Sequence, residues 1–454
     1  MTKEVEQTSL EISKDARQFI LAILRGASFL AIGVVVLSIC NLLMKYILFR
    51  TWTPEAYGVF TLILTIASIL NVATEFNLNS TTTIILAKDV KNTENKKTVA
   101  SVLVSFLLLT LVYIAVTLAL FNVPGLDSPT FRVGRGYFGL LWLYVILLGI
   151  NAIMYGVVRA YKRMNLEAAS KIMSGLVMVG TLAFVLNYVS ILSIAQSVEI
   201  IAFSQIMGGL FLVYLVNRGT TGSETGGMIQ RVLNSSMILK ASDLRSVLRF
   251  SFYLSSISVP LIVLSSMDRL MVSSLLSTEM LGFYGGALFI VAFPKLVTGS
   301  VAASIQPYIS EVSSDLTHAR RQYSAFLRFF LIVAALGYGA LILIANYTLM
   351  LLPSSYSWIT SVVRILLVGM LLSDVFQLNA TFICSLRLAH EIRRMTLILL
   401  FVIIADVLLN LVLIPPFGLE GAAAATSLSF LALAITSSVQ VHTIDRRHFN
   451  HQRI

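Results

Sequence analysis

The stretch MTLILLFVIIADVLLNLVLI, residues 395–414, decides the fold. It holds a single ionisable side chain, Asp406, among aliphatic neighbours. About 20 such residues span the ~30 Å hydrocarbon core of a bilayer as a helix. Backbone groups in hydrocarbon must be satisfied within the segment, which selects a helix. The run does not alternate as a barrel strand would.

Similar runs recur on either side of it. Twelve spans are predicted, at residues 27–48, 57–77, 99–121, 137–158, 172–191, 198–216, 250–276, 282–305, 325–345, 362–384, 395–414 and 421–441. The 454-residue chain is 57% hydrophobic and 12% charged, about half the charged fraction of a soluble domain. No soluble core of this length buries so much apolar surface, whereas lipid solvates it. The prediction is an all-α polytopic membrane protein of about 12 transmembrane helices in two parallel six-helix lobes. The first lobe is placed at 27–216 and the second at 249–441, with a polar linker at 217–248. A short N-terminal segment, 1–26, and a tail, 442–454, flank them. The first apolar run has no small-residue cleavage site behind it and reads as a retained helix.

Basic residues set the orientation. Lys88, Lys91, Lys96 and Lys97 fall in one loop, Arg159, Lys162, Arg163 and Lys171 in another, and Arg218, Arg231, Lys240 and Arg245 in the linker. Arg320, Arg321, Arg387, Arg393 and Arg394 continue the same side, which also carries both termini. Loops on the opposite side, such as 122–134 and 415–420, are short and nearly uncharged. Both termini are therefore expected in the cytoplasm of a multi-pass cell-membrane protein. The net charge of +11 is mostly this topology signal, with attraction to anionic membrane lipids as a second role. Scattered over many loops, the basic residues form no nucleic-acid-binding domain.

The chain also repeats itself. An offset of 224 carries Arg25 onto Arg249, Lys45 onto Arg269, Glu55 onto Glu279, Gly58 onto Gly282, Phe60 onto Tyr284 and Lys97 onto Arg321. Farther on, an offset of 228 carries Asn151 onto Asn379 and Arg159 onto Arg387. Matched charges and glycines at one offset point to a duplication. Six helices per half give both halves one orientation, related by an axis along the membrane normal, with a cleft between two lobes.

Ionisable groups in hydrocarbon cost several kcal/mol on insertion scales, so each asks for a reason. Asn41 and Lys45 share a helix face with Ser38, and Arg269 shares one with Ser258 and Ser265. Two readings stand for Lys45 and Arg269: cations aimed into the cleft at an anionic substrate, or side chains snorkelling to head groups. Lys295, after the helix-kinking Pro294, lies too deep to snorkel and is the leading candidate for substrate binding. Arg364 is near enough to an interface to reach it. Asp374 and Asp406 are candidates for binding a coupling ion, or else they pair with the cations. Asp268 is read as the partner of Arg269, and Glu75 as meeting water.

Other chemistry is missing from the sequence. It has no GxxxxGK[ST] for nucleotide, no GxSxG and no His/Cys cluster, so neither cofactor nor metal is expected. Cys40 and Cys384 both lie in apolar runs and suggest no disulfide.

Three segments resemble the polysaccharide transporter branch of the multidrug, oligosaccharidyl-lipid and polysaccharide exporter superfamily. RTWTPEAYG at 50–58 is similar to the signature after that family's first helix. Met267, Asp268 and Arg269, followed by Gly282, Phe283 and Tyr284, resemble its seventh helix and the turn beyond. NLVLIPPFGLEGAA at 410–423 resembles its last hairpin, where proline is expected to stop the eleventh helix and small residues to let the twelfth pack closely. The resemblance spans nearly the whole chain. It implies two six-helix bundles around a central cavity, and flipping of a polyprenyl-diphosphate-linked oligosaccharide to the outer leaflet, with glycan-assembly enzymes as further candidate partners. The Asp268–Arg269 pair resembles an essential cation site of related flippases, whereas Lys295 and Arg364 match no family motif. A cation-coupled multidrug antiporter of the same superfamily is the alternative. A membrane glycosyltransferase is the remote one, since such enzymes generally carry a sizeable outer loop with acidic residues and the outer loops here are short.

Overall fold

A computed structural model of the chain describes residues 30, 32–88, 95–123, 128–161, 163–189, 191–218, 241–311, 316–350, 352–386 and 388–451. The N-terminal segment, Arg25, Arg387 and residues 219–240 of the expected linker lie outside the described residues. Among the described residues fourteen α-helices follow in chain order. They are α1 (Ile32–Thr51), α2 (Pro54–Glu75), α3 (Leu78–Lys88), α4 (Asn95–Phe121), α5 (Pro129–Gly136), α6 (Phe138–Ala160) and α7 (Met164–Leu186). After these come α8 (Ile194–Arg218), α9 (Ala241–Leu275), α10 (Thr278–Glu311), α11 (Leu316–Leu343), α12 (Ala345–Leu349), α13 (Thr360–Leu386) and α14 (Ala389–His451).

Ten segments among the described residues are long and apolar enough to cross a membrane. Two features raise the number of crossings to twelve. Thr278–Glu311 is itself a 34-residue helix, and the 63-residue α14 is an antiparallel hairpin rather than a rod. Its two arms are laced together where Ser429 Oγ donates to Asp406 Oδ1 at 2.8 Å and Gln440 Nε2 to Glu391 Oε2 at 2.7 Å. The reversal sits at Gly418, φ 57° and ψ −129°, a conformation only glycine adopts without strain. Helical geometry runs on through Pro415 and Pro416, so glycine and not proline ends the eleventh crossing. Close packing after the turn is as expected: a Cβ on Gly421 would lie 2.1 Å from Leu413 O. Side chains such as Phe401, 73% exposed, cover the outside and call for lipid rather than water.

The second crossing is broken. Phe76 (φ 46°) and Asn77 (φ 56°) separate α2 from α3, so the expected span 57–77 continues as a second short helix.

Below, the end of the bundle that carries Trp52 and Leu276 is the upper end. There the duplication is visible in atomic detail. Thr53 Oγ1 accepts from Ala56 N at 3.3 Å and starts α2, and Ser277 Oγ accepts from Met280 N at 3.1 Å and starts α10. Both pairs are related by the 224 offset. The helices then meet at their repeat-related glycines. A Cβ on Gly58 would lie 1.8 Å from Thr278 O, and one on Gly282 would lie 2.0 Å from Pro54 O. Since Pro54 and Thr278 are also one offset apart, the contact is reciprocal, as across a two-fold axis. Deeper, Asn151 Nδ2 donates to Gln205 O at 3.0 Å in the first half, and Asn379 Nδ2 to Ser437 Oγ at 3.1 Å in the second.

Apolar packing follows the same division. The largest cluster of buried side chains runs through both halves at the upper end, from Met44, Leu48 and Tyr57 to Ala287, Tyr356 and Ala422. At the lower end one cluster belongs to α9–α14 alone, and the others belong to the first half, joined only by Val247 of α9. The two halves thus share one apolar seam at the top, and below it residues 241–275 also reach the first half, where the Thr81 and Ser251 hydroxyls lie 2.8 Å apart and Phe76 packs on Phe252.

One ionic group at the lower end was not anticipated. Glu167, 0% exposed, accepts from Arg159 Nε and Nη2 at 2.7 Å each and pairs with Lys171 Nζ at 2.8 Å. Removing one partner of a buried pair leaves charge uncompensated, at a cost of about 3–5 kcal/mol. Glu167→Gln is therefore expected to lower the unfolding temperature of the detergent-solubilised protein well below wild type. An unchanged temperature would show that this group is solvated instead.

Candidate functional site

The cleft between the halves is built around the α2–α10 contact. Below the glycine pair, Thr61 faces its own repeat equivalent, Gly285. The next level holds the two repeat-related cations. Lys45 of α1 places Nζ 5.1 Å from the ring centroid of Phe289 on α10. Arg269 of α9 donates from Nη1 to Thr65 Oγ1 of α2 at 3.3 Å. Lys45 and Arg269 are one offset apart, and so are Thr65 and Phe289. Each half therefore sends a cation across the cleft to the same position of the other half. At 1.5 Å per residue this level lies about 10 Å below the glycines, and Lys295 about 20 Å below them.

Arg269 is held but not used up. Nη2 donates to Ser265 O at 2.6 Å, and Nε, 3.8 Å from Asp268 Oδ1, makes no hydrogen bond. Asp268 spends its oxygens elsewhere, accepting from Tyr284 Oη at 2.7 Å and from Arg269 N at 2.7 Å. The expected pairing with Arg269 is thus present as a longer contact. Lys295 of α10 is loosely held: Nζ lies 3.4 Å from Ser373 Oγ, 3.8 Å from Met370 Sδ and 5.8 Å from the Phe430 ring centroid. Asp374 of α13 accepts from Thr298 Oγ1 at 2.7 Å and Tyr338 Oη at 2.6 Å, both on Oδ2. Asp406 accepts from Ser429 Oγ at 2.8 Å and from Asn410 Nδ2 at 3.1 Å.

The six ionisable groups balance in formal charge, but exposure separates them. Asp268, Asp374 and Asp406 are 1%, 0% and 1% exposed. Lys45, Arg269 and Lys295 are all partly exposed. The acids are buried behind hydroxyl and amide donors, whereas the cations keep part of their surface accessible. Asn41 turns its amide back on its own helix, donating to Leu37 O at 2.9 Å. Arg364 is exposed. Glu75, partly buried, is hydrogen-bonded by Asn71 and Asn79. Among the described residues no cluster of His, Cys, Asp or Glu could hold a metal ion.

Sequence reasoning missed the hydroxyl partners Thr65, Tyr338, Thr298 and Ser373. Only Thr65 left a signal, since the 224 offset pairs it with Phe289 opposite Lys45.

Two half-bundles that meet along α2 and α10, with charged side chains between them, define a two-lobed polytopic membrane protein. Solved structures share this fold. A crystal structure of a MATE protein in complex with MaL6 matches with TM-score 0.68 at 14% identity, over 94% of this chain and 97% of that one. A mutant of the Vibrio cholerae MATE transporter VcmN matches with TM-score 0.68 at 13% identity, over 96% and 98%. An outward-facing multidrug resistance MATE family transporter of the MOP superfamily matches with TM-score 0.67 at 14% identity, over 94% and 97%. No curated protein sequence matches the chain. The chain belongs to the polysaccharide biosynthesis protein family, whose family model matches residues 23–313.

Proposed function

We propose that the protein flips a polyprenyl-diphosphate-linked oligosaccharide from the cytoplasmic to the outer leaflet of the cell membrane by alternating access. One observation supports this: Lys45, Arg269 and Lys295 keep accessible surface while the acids are buried behind their own donors. A diphosphate in low dielectric needs compensating charge and charge-assisted hydrogen bonds, which these cations supply. Arg269 has an Nε–H free of hydrogen bonds, and Lys295 has only weak partners to give up. Family membership supports a role in glycan assembly. With both termini cytoplasmic, the upper end faces outward, and the apolar seam there closes the outer side. Asp374 and Asp406 are the places for a coupling ion, and membrane lipids surround the travelling lipid tail.

A second reading, a cation-coupled multidrug antiporter, is favoured by the fold of the MATE neighbours. Cationic drugs would need accessible acids, and here Asp268, Asp374 and Asp406 are buried.

Complementation of a strain lacking its own lipid-linked oligosaccharide flippase tests the proposal, with lipid-linked glycan scored on each membrane face. Wild type should restore outward glycan. Lys295→Ala should cut transport about 10- to 100-fold at unchanged expression, since hydrogen bonds to charged groups contribute about 1.5–3 kcal/mol. Full activity of that variant would remove Lys295 from the site. Absence of rescue together with new drug resistance would install the antiporter.

A further inference from the structure

Lys295 and Asp374 stand in an unfinished relation. Lys295 and Thr298 lie three residues apart on one face of α10. They touch consecutive residues of α13: Lys295 reaches Ser373 at 3.4 Å, and Thr298 holds Asp374 Oδ2 at 2.7 Å. The other oxygen, Asp374 Oδ1, is buried without a hydrogen-bond partner. A half-satisfied carboxylate at 0% exposure is costly, and so is a lysine in hydrocarbon with only two weak hydrogen bonds. Each is what the other lacks. Lysine has four rotatable carbons and three donors, so a rotamer change brings Nζ toward Oδ1 without backbone movement.

We infer that Asp374 is the internal counter-ion of Lys295, engaged when the cleft is empty and displaced by the substrate diphosphate. The inference rests on the diphosphate reading proposed above and adds a competitor for the same cation. It explains how the carrier returns without a substrate: Lys295 then takes Asp374 in place of the diphosphate. It also helps release, because Asp374 competes with the departing diphosphate. The device belongs to one half only, since the repeat equivalent of Lys295 is the neutral Asn71. Tyr338 and Thr298 set its strength by holding Oδ2 at 2.6 and 2.7 Å, so that only Oδ1 is on offer.

The test is calorimetric binding of farnesyl diphosphate, a soluble prenyl diphosphate, to the detergent-solubilised full chain, with transport measured beside it. Asp374→Asn removes the competitor. It should bind the probe about tenfold more tightly, as expected when a competing state is lost, while transport slows. Tyr338→Phe frees the carboxylate to compete harder and should bind roughly threefold more weakly. A merely structural residue would lower affinity in both variants. Wild-type binding that Asp374→Asn leaves unchanged or weakens would overturn the counter-ion assignment and leave the diphosphate site standing. Should Asp374→Asn fold poorly, unchanged affinity in Tyr338→Phe would overturn it as well. No binding by wild type would remove the diphosphate reading itself.

Discussion

Gly58→Val is expected to abolish transport while leaving the protein folded. At this position the added Cβ would stand 1.8 Å from Thr278 O, and its reciprocal on Gly282 would stand 2.0 Å from Pro54 O. Both obstacles are backbone atoms, so no side chain can swing aside. The seal can form only if α2 and α10 separate, and overpacking of this kind costs about 1–3 kcal/mol or more. An equilibrium between a top-closed and a top-open carrier would shift by roughly tenfold to a hundredfold toward the open form. The lobes themselves keep their interiors, because the clash lies on the axis between them. A cysteine at Thr61, beneath the glycine pair, reports the change. In an otherwise wild-type chain a membrane-impermeant thiol reagent added outside should label it slowly, and in Gly58→Val quickly. Because the contact is reciprocal, Gly282→Val should behave the same way. Slow labelling and full transport in either variant would mean that the glycines do not form the outer seal.

The sequence carried the crossings and the duplication because both are written in patterns that survive averaging. Apolar runs are long, and Gly58, Gly282, Lys45 and Arg269 recur at one offset. What it hid was partner choice. Thr298, Tyr338 and Ser373 are neutral groups inside apolar helices, and nothing local tells which carboxylate or amine a neighbouring helix brings to them. The reversal at Gly418 was misplaced for a different reason. Proline was expected to stop the helix, yet its fixed φ near −65° is itself helical. A hairpin needs a positive φ, and glycine supplies it. The break at Phe76 and Asn77 escaped notice because no glycine or proline marks it. Glu167, by contrast, was legible: it precedes Lys171 by four residues on one helix, a spacing that brings side chains together. Its neighbours were counted as topology charges, and their burial appears only once α6 and α7 are packed.

Arg269 should matter more than its repeat partner, and the ratio tests how the two cations work. Arg269 bridges the halves through Thr65 at 3.3 Å, holds Ser265 O at 2.6 Å and stands 3.8 Å from Asp268 Oδ1. Arg269→Ala would remove the lobe contact and the free Nε–H at once, and would leave Asp268, 1% exposed, facing Tyr284 with no cation beside it. Breaking a buried charge pair costs about 3–5 kcal/mol, so transport should fall by roughly two to four orders of magnitude. Lys45 makes a cation–π contact at 5.1 Å and no ion pair among the described residues. Such contacts contribute about 0.5–2 kcal/mol, so Lys45→Ala should cost no more than about thirtyfold. Arg269→Lys keeps the charge but loses the planar fork that reaches Thr65 and Ser265 together, and should fall between the two. Initial rates of glycan translocation in sealed vesicles, normalised to protein present, give the ordering. Equal losses for Arg269→Ala and Lys45→Ala would mean that the duplicated cations act as one symmetric anion clamp. A deep loss at Arg269 alone would mean that the lobes have diverged, with the second half carrying both the diphosphate contact and the link between lobes.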